Sequence, residues 1–183
     1  MSIITMFDYF KQPIASYPLI NILYQIRAQK YRKAVMNLRH AFIEDLDAAF
    51  DNQKRALFRF SVSGHFKMIK DQLDIISYSG FIILEIPYLN EPDLKSVKQK
   101  LSKDPYIYAC FENALGIGLA FIIKSSEGID KHAEVFQRAK RYYVHQTGVK
   151  RFSSNGESIE HNCMMTIDEN IHINLEAIPF PNS

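Results

Sequence analysis

The stretch that most restricts what this chain can become is GFIILEI, residues 80–86. An unbroken apolar run with a β-branched centre, opened by a glycine and closed by Pro87, reads as a buried strand. The rest of the fold must be arranged to cover it. One carboxylate, Glu85, sits near its end, and side chains two apart on a strand share a face. Paired acids at such positions can hold one or two hard cations against a triphosphate. Position 87 is a proline, which offers no ligand. Glu91 and Asp93 lie close by, but they already make sense as first-turn acids of the next helix. On residue chemistry alone Glu85 is a half-exposed strand-end acid.

Periodicity organises the segments on either side. SYPLINILYQIRAQK places Leu19, Ile22, Leu23 and Ile26 at helical spacing over residues 17–30, and YRKAVMNLRHAF follows with Val35, Leu38 and Phe42 on one side. A third short helical piece continues to residue 55, so residues 1–53 read as a helical part and 54–183 as a sheet-containing core of one domain. ALFRFSVSG reads as a strand, and 65–78 as a loop with a short helix. After Pro87, Asn90 is a good N-cap, followed by acids and then lysines in the order a helix dipole favours. Residues 105–112 and 116–124 form a hairpin, 129–147 a helix, and 161–168 a last strand; the tail HINLEAIPFPNS should lie extended over the surface. From Gly80 onward the order is strand, helix, strand, strand, helix, strand. That is the split βαβ pattern of ferredoxin-like and RNA-recognition-motif-like domains, an α+β class. Its open sheet face is either covered by the N-terminal helices or left for a ligand. IGLAFIIK, residues 117–124, echoes an RNA-stacking strand, but Leu119 and Lys124 stand where the aromatics belong.

Charge adds a direction. The chain of 183 residues carries a net charge of only +2. Residues 1–43 nevertheless hold Lys11, Arg27, Lys30, Arg32, Lys33 and Arg39 against the single acid Asp8, while no Lys or Arg follows Arg151. Such a basic front fits a polyanion-facing surface, or simply solvated helix faces. Cys110 and Cys163 lie far apart in apolar runs and read as reduced core residues. The start MSIITMFDYF lacks the basic opening of a signal peptide, and no apolar run is long enough for a membrane span, so a cytoplasmic protein without a membrane partner is expected. The six histidines show no ligand spacing, and each is expected on the surface or in one local hydrogen bond.

Several phrases, KRALFRFSVSGHF (54–66), YSGFIILEIPYLN (78–90), LSKDPYIYACFENALGIGLAFIIK (101–124) and HAEVFQRAKRYYVHQTGV (132–149), together resemble the VirE N-terminal-like domain. That domain is a branch of the archaeo-eukaryotic primase-polymerase superfamily, and the likeness runs in order from about Phe7 to Phe180. The resemblance implies a sheet core of the kind just described. It also implies that the strand at 80–86 should end in the metal-binding Asp-x-Asp, where this chain has Glu85 and Pro87. Ala120 stands where the family's hairpin lysine falls, Lys150 at an aspartate position, and His161-Asn162 at a Ser-Arg pair. Losing a metal-bridging carboxylate and a phosphate-facing lysine removes stabilisation worth about 3–4 kcal/mol per group.

The resemblance therefore implies a fold kept and a nucleotidyl transfer dropped, with Glu85 as a vestigial position and no catalytic residue, metal or cofactor expected. The leading expectation is a nucleic-acid-binding or replication-associated module. Arg27, Lys30, Arg32, Lys33, Lys54 and Arg55 would contact single-stranded or duplex nucleic acid, and a helicase-like ATPase would act in trans. The alternatives are a protein-docking module, or a residual enzyme in which Glu85 and Glu91 or Asp93 rebuild a Mg²⁺ or Mn²⁺ site.

Overall fold

In the computed structural model, which describes residues 2–182, the chain opens with two antiparallel strands, β1 (Ile3–Phe7) and β2 (Pro13–Pro18). The expectation of a purely helical N-terminal part is thereby corrected. Ile4, Met6 and Phe7 are buried, and β1 is the centre of a sheet, so this apolar run pairs instead of coiling. Three helices follow, α1 (Leu19–Arg27), α2 (Arg32–Ile43) and α3 (Asp47–Arg55), then β3 (Arg59–Ser61). The segment read as a loop with a short helix is a hairpin, β4 (Gly64–Ile69) and β5 (Gln72–Tyr78). Its turn is made by Lys70 and Asp71, both at positive φ (49° and 64°), so the glycine that usually announces such a turn is absent.

The predicted core order is present. β6 (Phe81–Ile86), α4 (Glu91–Leu101), β7 (Ile107–Glu112), β8 (Leu119–Lys124) and α5 (His132–Thr147) follow one another, with Asn90 capping α4 through the Asp93 amide at 2.9 Å. β8 lies antiparallel between β6 and β7, so β6, α4 and β7 make the split βαβ unit. The last strand is a different matter. Only Cys163–Met164 (β9) is extended, and it joins β3 in the other sheet. The free edge of β6 is met by coil: the Ser153 amide donates to the Glu85 carbonyl at 2.9 Å, and a Cβ on Gly156 would stand 2.1 Å from the Ile83 carbonyl. The chain therefore passes β6 closely and is carried to the other sheet.

Two four-stranded sheets result, β2-β1-β3-β9 and β10-β7-β8-β6, where β10 (His172–Ile173) pairs with β7. They face each other across a core in which Ile4, Met6, Phe60 and Met165 meet Ile83, Phe111, Ala120 and Ile122, closed at one side by Leu19, Ile22, Leu23 and Ile26 of α1. The opposite face of the second sheet packs Ile82, Leu84, Phe121 and Ile123 under α4 and α5. Burial on both faces is why β6 reads as unbroken apolar sequence. It also leaves neither face of this sheet open to stacked RNA bases, which closes the RNA-stacking reading of residues 117–124. Two smaller expectations also change. Phe42 turns outward while Ala41 is buried beside Val35 and Leu38. The tail is not a surface strap, because Ala177 and Phe180 are buried, Phe180 against Tyr106, Tyr142 and Tyr143. Among the described residues no helix is long and apolar enough to cross a membrane.

Candidate functional site

Glu85 lies on the face of β6 that looks toward the first sheet, in line with Phe81 and Ile83. Its carboxylate accepts a hydrogen bond from His161 Nε2 at 3.0 Å, and both side chains are largely covered. Cys163 packs beside it, and its thiol is pushed well above the ordinary range, first by burial and then by the charge and hydrogen bond of Glu85. The strand-end acid is thus committed to an acid–imidazole pair wedged between the sheets. Proline at 87 supplies no second oxygen. Glu91 is held by Lys95 at 2.8 Å on the surface of α4, and Asp93 is held by Asn90 in the helix cap, so neither is brought to Glu85. Among the described residues no three His, Cys, Asp or Glu side chains converge as a metal-holding group.

His161 reaches Glu85 because the coil before it is pinned. His132, at the first turn of α5, is buried with both ring nitrogens engaged. Nε2 donates to the Gly156 carbonyl at 3.0 Å, and Nδ1 accepts from the Tyr78 hydroxyl at 2.9 Å. Two bonds and full burial exceed the single local bond expected of each histidine. Burial holds the His132 pKa below its usual range. Glycine is required at 156, since any side chain would enter β6. The coil so fixed presents Ser154, Asn155, Ser158, His161 and Asn162 to a cleft of about 650 Å³, whose other wall is Lys11 and Arg59. A smaller cavity of about 210 Å³ reaches inward past Asn155 to Glu85 and Cys163.

Arg59, unremarked by sequence reasoning, is the cation best placed at this cleft. It lies on β3 between β1 and β9, forms no ion pair with an acid among the described residues, and its buried Nε has no hydrogen-bond partner. Its guanidinium carbon is 5.8 Å from the ring centre of Tyr9, and that of Arg55 is 5.6 Å from the same ring. Tyr9 packs edge-on to Phe10 at 5.4 Å in the β1–β2 turn. Arg55 is among the cations expected to meet nucleic acid, but nothing in the sequence marks Arg59 or the aromatic ring that gathers both. Glu157 and Glu160 also line the cleft, so its positive side is the side of the turn.

Of the six cations expected to bind nucleic acid, Arg55 alone joins this group. Lys54 lies over Phe50 at 4.9 Å and near Asp51. Arg27 donates to the Ile171 carbonyl at 3.3 Å, Lys30 lies over Tyr31 at 5.5 Å, Arg32 bonds Gln29, and Lys33 is exposed on α2. Those four mark a second basic surface at the α1–α2 turn. Lys150 is exposed and lines neither cavity. A family model described as the BT4734-like, N-terminal domain matches residues 52–172. No curated protein and no solved structure matches the chain.

Proposed function

Since the chain belongs to the BT4734-like N-terminal domain family, by a match that takes in Arg59, Glu85 and His161, we propose that it is a nucleic-acid-binding module on a primase-polymerase-like fold of the VirE N-terminal kind, with nucleotidyl transfer lost. The observation that carries the reading is Arg59. Half-buried on β3, Arg59 pairs with no acid among the described residues and lines a cleft with Ser, Asn and His side chains, and the fork of its guanidinium suits phosphate oxygens. Loss of transfer follows from the fate of Glu85. One oxygen of its carboxylate is already bonded to His161, and Pro87 provides no second acid to complete a two-metal clamp. On this reading a helicase-like ATPase is a partner in trans, and the domain delivers or holds the strand.

The test is fluorescence anisotropy with a labelled 20-nucleotide single strand and its duplex, across a salt titration. Binding should weaken steeply with salt, with log K falling by about 0.7 per log unit of salt for each single-strand phosphate neutralised. The Arg55→Gln, Arg59→Gln double variant should lose both affinity and slope. Absence of binding at low salt overturns the reading. A protein-docking role is then the account favoured by the α2–α3 corner, where Ile43 and Leu46 are exposed among Glu44, Asp45, Asp47 and Asp51.

A further inference from the structure

The turn between β1 and β2 carries an aromatic that folding does not use. Phe10 is 72 % exposed, beside Tyr9, Lys11 and the two arginines that lie over the Tyr9 ring. The turn itself is tied: the Asp8 side chain accepts the Gln12 amide at 2.8 Å, and the Asp8 amide donates to the Gln12 carbonyl at 3.0 Å. Phe10 is therefore displayed on an ordered loop at the edge of the cleft that Lys11 and Arg59 line. We propose that this turn is a base-stacking platform and that the nucleic acid it takes is single-stranded. The inference rests on the nucleic-acid reading above and names the form of ligand at that same site.

The division of labour follows from geometry. Tyr9 is already occupied, with Phe10 at its edge and two guanidinium groups within 6 Å of its centre. It serves to hold Arg55 and Arg59 in place. Phe10 keeps most of its surface open to solvent and offers it to an unpaired base, while Arg55, Arg59 and Lys11 take the flanking phosphates. Stacking on an aromatic side chain accepts any base and needs the base unpaired. In a duplex the bases are stacked on one another, so only the phosphate contacts remain. Exposure also explains why neither residue left a signature in the hydrophobic pattern: a stacking aromatic in a turn has no period.

The chain contains no tryptophan, so Phe10→Trp installs a single indole reporter at the platform. With the full chain and a 12-nucleotide single strand, the indole emission should be quenched on binding, and the affinity should equal or exceed that of the unaltered protein. Phe10→Ala should weaken single-strand binding about ten-fold or more while leaving duplex binding unchanged. Arg55→Gln with Arg59→Gln should weaken both. If Phe10→Ala binds the single strand as well as the unaltered protein, or the indole is unquenched in a saturated complex, the stacking platform is wrong while the nucleic-acid reading stands. If neither oligonucleotide binds at low salt, the nucleic-acid reading itself fails, and the platform with it. Because Phe10 is exposed, loss of fold does not confound the result; a far-ultraviolet circular dichroism spectrum of each variant verifies this.

Discussion

Asp168 and Glu85 are both drawn into the body of this protein, at different places, and they are treated in opposite ways. Asp168 is saturated. One of its oxygens accepts from Lys98 Nζ at 2.6 Å and from the Glu112 amide at 2.9 Å, the other from the Asn170 amide at 3.0 Å. Arg39 stands 3.8 Å from Glu112 and donates to the Ala114 carbonyl at 3.1 Å, so one network ties α2, α4, β7 and the stretch after β9. Glu85 has only His161 and the Cys163 thiol. A network whose every member is satisfied holds a fold together, whereas the Glu85 pair has fewer bonds and borders a cavity.

The first way to break this comparison is by stability. Asp168→Asn leaves a Lys98 ammonium that is mostly buried without its counter-charge, and removing one member of such a pair costs about 3–5 kcal/mol. Glu85→Gln keeps an oxygen for His161 and borders a cavity that water can enter, so about 1 kcal/mol is expected. Urea unfolding midpoints read both. Equal losses would mean that the Glu85 pair is as structural as the Asp168 network.

The second is by pH, where the two regions have opposite signs. Glu112 is raised above its ordinary 4.5, mainly by burial and then by Asp168. Its contribution is fully present below the unfolded value and is lost as pH rises through the folded one. His132 is lowered from 6.5, mainly by burial, against the opposing pull of the Gly156 carbonyl. Its contribution is present above the unfolded value and is lost as pH falls below it. Glu112→Gln should therefore flatten the stability profile on the side above about 4.5. His132→Asn should flatten it below about 6.5. A His132 variant that keeps the acid-side slope would detach the wall of the cleft from this histidine.

Much of this architecture was legible beforehand, and the reason is burial. β6, α4, β7, β8 and α5 pack on one another in chain order, so their apolar periods report their own neighbours. The misread parts owe their form to partners far away in sequence. β1 pairs with β3 across three helices, β9 leaves the sheet that its predecessors form, and Phe180 is buried under α5 by the tail. The site was half legible. Glu85 stood out as an acid in an apolar strand, and His161 fell at a position the resemblance had already set apart. Arg59 and Phe10 did not stand out, because an unbonded nitrogen and an exposed ring are properties of three dimensions.

The smallest effect separates the two regions most sharply. If the cleft receives a polyanion, its own acids oppose the ligand, whereas the acids of the saturated network have no such role. Glu157→Gln with Glu160→Gln should then tighten oligonucleotide binding about two- to five-fold at low salt, since half-exposed charges act through solvent and weakly. The gain should shrink toward nothing as the screening length falls below about 10 Å. Glu134→Gln, on the outer surface of α5 where Lys131 and Arg138 already pair with it, should leave the affinity unchanged. A uniform gain from all three carboxylates would reduce the binding to net charge alone. A gain confined to Glu157 and Glu160 would place the phosphates at the cleft that Lys11 and Arg59 line.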